Sequence, residues 1–331
     1  MRKEYRDGLV LAGLSIVVVA AVTALVRSGL TTLYTAQVIT LSGINVIVAL
    51  GLNLITGFTG QLAIGHAGFM AVGAYTSALT MMLLGFPPVL GVISGGLLAA
   101  VVGMLIGFPT FRLRGDYLAI VTLAFGEVIR VIIINLPSLT GGAAGLKGVP
   151  PFAEGRMLKQ IVAMDVVLVF MFLVIALMYT VVRSSYGRAL IAIRDDEIAA
   201  HTMGIDVFGY KMFSFTLSAF IAGLGGGLYA PFFGYLTPQT FTFLKSVEIL
   251  IIVVFGGMGS ITGTVVAGFL LTSLQEFLRF LKDYRMVIYP LILIVMMLFR
   301  PQGLFGEREI SISSLFRKAG GKRASEEGDP T

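Results

Sequence analysis

Apolar residues run along this chain in long blocks, without the period-two alternation of a half-buried strand or the one-sided stripe of a soluble helix. Ten blocks are read, centred on residues 8–26, 36–55, 61–84, 88–108, 116–135, 162–182, 211–231, 246–258, 260–278 and 286–299. A helix needs about 20 apolar residues to cross the hydrocarbon core. The eighth and tenth blocks are short, so eight to ten spans is the expected range. The pattern predicts an all-α polytopic membrane protein, a helical bundle with its transmembrane domain over 1–305. Block 8–26 follows Arg2, Lys3 and Arg6. Its length and the lack of a small-x-small cleavage site favour a retained first span over the competing signal peptide.

The polar interruptions differ in character. Residues 136–160, beginning LPSLTGGAAGLKGVPPFAEGR, form a Gly- and Pro-rich loop too polar to span. Residues 184–212, SSYGRALIAIRDDEIAAHTMGIDVFGYKM, look built for more than a turn. Asp195 is placed to cap a short helix over about 196–203. Asp196 and Glu197 put negative charge in its first turn, and Gly204 stands at the C-cap. Ile198, Ala199, Thr202 and Met203 then share one weakly apolar face, suited to a groove on a soluble partner. An ordinary connecting loop whose charges fix orientation is the equally weighted alternative. From Arg300 the chain turns polar, and 306–331, ending KRASEEGDPT, is expected to be a disordered tail.

Inside the apolar blocks, small residues recur every four positions. Gly91, Gly95, Ala99, Gly103 and Gly107 form one ladder, Ala219, Gly223 and Gly227 a second, and Gly259, Gly263 and Ala267 a third. Such ladders let helix backbones approach closely, the main source of helix association in lipid. Two Gly-rich breaks, 51–75 and 253–268, are either tight turns between spans or broken helices lining a path. Their corresponding positions are compatible with two inverted repeats.

Polar groups at membrane depth are candidates for the path: Asn53, Gln61, His66, Glu127 and Arg130. Glu127 and Arg130 sit three apart on one helix and can pair, either to complement a zwitterion or to lock helices together. A lone satisfied histidine is the favoured reading of His66. Asn45 and Asn53 share a helix face and are as well placed to bond a neighbouring helix as to meet substrate.

Composition narrows the class. Hydrophobic residues are 56% and charged residues 13% of the chain, and mean hydropathy is +0.93. Neither nucleic acid binding nor a soluble enzyme fits that balance, and the net charge of +6 is accounted for by membrane orientation. With both termini cytoplasmic, fifteen basic residues fall inside and eight outside, with Arg130 in the membrane. Lys245 is counted outside. No cysteine is present and there are two histidines, which leaves no expected metal site. A nucleotide-binding G-x-x-x-x-G-K-[ST] loop is missing; GGAAGLKG at 141–148 has the wrong spacing.

The run IRDDEIAAHTMGID resembles the cytoplasmic coupling segment of the branched-chain amino acid permeases, membrane subunits of bacterial ABC importers, in their LivM-like branch. The stretch GLNLITGFTGQLAIGHA and the GG-x-G at 256–259 are similar to further motifs of that family. The resemblance covers nearly all of 36–305. It implies a bacterial inner-membrane permease for leucine, isoleucine and valine, without a cofactor of its own. ATP would be bound by two partner ATP-binding cassette subunits. A second, LivH-like permease and an extracytoplasmic substrate-binding protein docking at 136–160 would complete the importer. It also implies a coupling set of Arg194, Asp195, Asp196, Glu197, Ala199, Ala200 and Gly204. Related permeases carry urea, short amides or other amino acids. An ion-coupled secondary transporter using Glu127 is the alternative of a different class.

Overall fold

The computed structural model describes residues 33–111 and 116–279, with isolated positions between 291 and 306. The first expected span, nearly all of the tenth, Arg112, Arg114 and the tail beyond Gly306 lie outside the described residues. Helices α1 (Leu33–Asn53), α2 (His66–Leu84), α3 (Pro88–Thr110), α4 (Asp116–Ile134) and the single turn α5 (Pro137–Thr140) come first. Then follow α6 (Arg156–Arg183), α7 (Ser185–Asp195), α8 (Glu197–Thr202), α9 (Val207–Phe233), α10 (Phe243–Gly256) and α11 (Ile261–Phe277). Six helical runs among the described residues are long and apolar enough to cross a membrane: Leu33–Phe58, His66–Leu84, Pro88–Thr110, Tyr117–Ile134, Leu158–Arg183 and Val207–Phe233. The protein is an all-α polytopic membrane protein.

Helix α1 is the centre of the bundle. Every residue from Ser42 to Thr59 is buried, and α9, α11, α6 and α10 all pack on it. A helix apolar all round has no preferred face, so contact between small residues decides how its neighbours dock. Two of the predicted ladders meet on α2. A Cβ on Gly95 of α3 would run into the backbone of Gly73 of α2, and one on Gly73 into the backbone of Gly223 of α9. Three helices therefore touch backbone to backbone at one level, an approach that any side chain would wedge apart.

Helices α10 and α11 make a shorter hairpin. Antiparallel to α1, α11 bonds it at three levels: Asn53 to Thr264, Asn45 to Thr272, and Tyr34 to Glu276. Helix α10 starts near Asn45, midway along the run Leu33–Phe58, and ends at a turn over 257–260 beside Gly57. It is a half-span, which explains why its apolar block is short.

At the opposite end of the bundle from α7 and α8, the 136–155 connection is pinned by two short strands. These are β1 (Leu146–Lys147) and β2 (Tyr235–Leu236), paired antiparallel with Leu146 opposite Leu236. They are the described exceptions to an all-helical chain. The final residues assigned to this loop, 156–160, instead form the first turn of α6.

Candidate functional site

The polar stretch after α6 folds into two helices where one was expected. Ser184 caps α7, its hydroxyl accepting from the amides of Tyr186 and Gly187 at 3.2 and 3.4 Å. Asp196, not Asp195, caps α8: its Oδ1 accepts from the amides of Ile198 and Ala199, both at 2.9 Å. The shift of one residue arises because Asp195 is already the last residue of α7, leaving Asp196 extended at the junction. Gly204, at φ +83°, ends α8. Its amide donates to the His201 carbonyl and that of Ile205 to the Ala200 carbonyl, a Schellman arrangement satisfying the last orphan carbonyls.

Ala200 faces inward, packed with Ile193 and Val207. Glu197 reaches the buried Lys211 of α9, Oε2 to Nζ 2.6 Å. The predicted outer face is bare: Ile198 is 77% and Met203 83% exposed, and Ala199 and Thr202 are exposed between them. One flank of α8 is thus fastened to the bundle and the other holds unpaired apolar surface.

Both Gly-rich breaks are irregular, and they meet. The first opens as a π-helical turn, Leu54–Phe58, and continues without regular structure to Gly65. The second is the 257–260 turn. Asn53 joins them: its Oδ1 accepts from the Gly259 amide at 2.9 Å, and its Nδ2 donates to the Ser260 carbonyl and the Thr264 hydroxyl, both at 3.0 Å. These bonds commit both amide hydrogens and one lone pair of the carbonyl oxygen to structural contacts. Arg194 reaches the same junction, Nη1 donating to the Gly57 carbonyl at 3.2 Å. Gln61 lies half-buried in the first break, its backbone amide donating to the Ile55 carbonyl.

Helices α2 and α10 begin side by side inside the bundle. The Ala67 amide, in the first turn of α2, donates to Ser246 Oγ at 3.0 Å, and the Ile64 amide, just before the helix, donates to Thr122 Oγ1 at 3.1 Å, satisfying donors that lipid could not. His66 is buried, with Nε2 2.7 Å from Ser218 Oγ. Since the Ser218 hydroxyl donates to the Gly51 carbonyl, Nε2 carries the proton and donates to the serine oxygen. A narrow cavity near these helix starts is lined by Ile64, Ala67, Glu127, Thr242 and Ser246. Glu127 accepts from Arg130 Nε at 2.7 Å within α4, and their side chains are 35% and 27% exposed.

Lys245 corrects the charge count. Placed in an outside loop by sequence, it lies in α10 within the bundle, donating to Asn45 Oδ1 at 3.0 Å and Glu248 Oε2 at 3.1 Å. Asn45 in turn donates to Thr272 at 3.1 Å. Lys245 lies one residue before the apolar block 246–258 and so reads as a loop lysine, whereas Glu248 lies inside that block and is an intramembrane charge absent from the sequence candidates. The i,i+3 pairing of opposite charges in FLKSVEIL was the available signal. Among the described residues no three His, Asp or Glu side chains could hold a metal.

Residues 34–298 match the family described as "Branched-chain amino acid transport system / permease component". The chain is 38% identical over 259 residues to the high-affinity branched-chain amino acid transport system permease protein LivM of Escherichia coli K12, covering 70% of this chain and 60% of that protein. It is 37% identical over 263 residues to the protein of the same description from Salmonella typhimurium LT2, with the same coverage. Similarity extends to the probable branched-chain amino acid transport permease protein LivH of Methanocaldococcus jannaschii, 30% identical over 147 residues, which are 42% of this chain and 46% of that protein. The matched region thus spans about 60% of the length of the two LivM relatives. No solved structure matches the chain. An all-helical bundle of membrane-length spans, with two joined Gly-rich breaks inside it and a capped helix at one end, is here the form taken by a member of the branched-chain amino acid transport system permease family.

Proposed function

We propose that this chain is a permease subunit of a binding-protein-dependent ABC importer in the bacterial inner membrane, moving leucine, isoleucine and valine inward while partner subunits hydrolyse ATP. The observation that carries this reading is α8: a helix capped at both ends, braced by Lys211, that leaves Ile198 and Met203 bare beyond the spans. A rigid apolar knob is suited to seating in a groove on a soluble motor subunit. The basic residues near this end, Arg183, Arg188, Arg194 and Lys211, support a cytoplasmic orientation for it. The 136–155 connection then faces outward and supplies the surface on which a binding protein docks.

The Glu127–Arg130 pair supports a second permease alongside. An ion pair within a span is costly against lipid, yet both side chains are partly exposed on the surface of this chain. A homologous permease covering that face of α4 would shelter the pair and leave the path at the seam, where the two charges can meet the carboxylate and ammonium of an amino acid.

Reconstitution tests this directly. Proteoliposomes holding this chain, its partner permease and two ATPase subunits should accumulate labelled leucine only when binding protein and ATP are both supplied. Uptake of urea in preference to leucine would reassign the cargo. Gradient-driven flux through this chain with no ATPase subunit present would overturn the importer.

A further inference from the structure

Arg194 is the last basic residue of α7, and its side chain turns away from the exposed face of α8 into the bundle. Nη1 donates to the carbonyl of Gly57 in the π-helical turn at 3.2 Å. A Cβ on Gly60 would lie 2.8 Å from Arg194 Cγ, and one on Gly259 would lie 3.1 Å from Nη1. The side chain therefore packs against one glycine from each break. On its own helix the guanidinium is steadied by Asp195 Oδ1, 3.3 Å from Nε. Asn53 binds the breaks to each other through three hydrogen bonds, so whatever holds Gly57 also holds the 257–260 turn.

The coupling element thus has two fastenings of different kinds. Glu197 and the small core of Ile193, Ala200 and Val207 tie it to α9, its covalent neighbour. Arg194 ties it across 137 positions of sequence to the end of α1 and, through Asn53, to the start of α11. We propose that Arg194 is a positioning residue: a strut that carries displacement of the motor-docking element to the paired breaks, while the exposed face of α8 only grips the motor. Its planar fork can donate to a carbonyl and stay oriented by a carboxylate at once, which a lysine ammonium on a flexible stem does less well. The strut presupposes the importer reading given above, and it adds the route by which motor movement arrives at the membrane segments.

The test uses the complete importer in proteoliposomes, comparing native protein with R194A and R194K for assembly with the ATPase subunits, ATP hydrolysis and leucine uptake. R194A is expected to assemble and to hydrolyse ATP within about twofold of native, while leucine moved per ATP falls about tenfold or more; R194K should recover part of the loss. Native uptake per ATP in R194A would overturn the strut. So would loss of ATPase assembly in R194A with the protein folded, because that result makes Arg194 a docking residue. Should R194A not accumulate, R194K is set against R194Q, and equal uptake per ATP in those two overturns the proposal. A native importer that moves leucine without responding to ATP would instead sink the importer reading, and the strut that rests on it, whatever R194A does.

Discussion

Asp195 and Asp196 are chemically identical neighbours, and backbone geometry alone separates their tasks. Asp196 stands extended at the junction and accepts two amides; Asp195 ends the preceding helix with its side chain 64% exposed. D196A should therefore destabilise α8 by about 1 kcal/mol, while D195A should change it little. Amide hydrogen exchange at Ile198 and Ala199 checks this, and equal protection in the two variants would count against the cap assignment. Asn53 teaches the complementary lesson. Its presence at membrane depth was legible, and so was the choice between substrate and helix–helix bonding. The three groups it bonds lie more than 200 positions away, and nothing local announces them.

At the scale of elements, α8 is the case where local signals carried furthest. Glycine at Gly204, an acidic first turn and the spacing of Ile198, Ala199, Thr202 and Met203 are short-range features, and the helix they anticipate exists with that face outward. What they did not disclose is α7, whose polar residues hid a regular helix inside an apparent loop. Because Ile198 and Met203 are exposed, replacing both with aspartate should leave the bundle intact. Binding of the ATPase subunit should then weaken about tenfold or more, as expected when interface anchors are removed. Co-purification of the motor in native yield with I198D/M203D would argue against α8 as the docking element.

Helix α10 shows the opposite balance. Its block of apolar residues signalled a membrane segment, but the block was too short for a full span and gave no hint that it starts at mid-depth. Lys245 could then be assigned only by the general rule that lysines mark loops. Inside the bundle the ammonium is held by Asn45 and Glu248, partners that make its burial tolerable.

For the whole molecule, the question is what covers α4. Its outward residues, among them Ile120 and Val128, suit lipid or another helix equally, and only Glu127 and Arg130 discriminate. If the pair lines a path between two permeases, E127Q/R130Q should keep the assembled importer stable to heat yet lower leucine uptake by about tenfold. If it is a lock alone, the double variant should transport normally with an altered unfolding midpoint. Measuring uptake and thermal unfolding on the same preparation separates these outcomes.

The sequence by itself determined the membrane class, six of the spans now described, and the capped helix with its bare face. Each of these rests on rules that act over a few turns: hydrocarbon thickness fixes the length of apolar runs, and orphan amides and carbonyls fix the caps. Only the tertiary structure decided that the two breaks are joined by Asn53, that Arg194 reaches them, and that Lys245 is an interior residue. Helices apolar on every side have no periodic face to reveal their rotation, so their pairing is set by backbone contacts such as Gly73, Gly95 and Gly223, which form only once all three helices are in place.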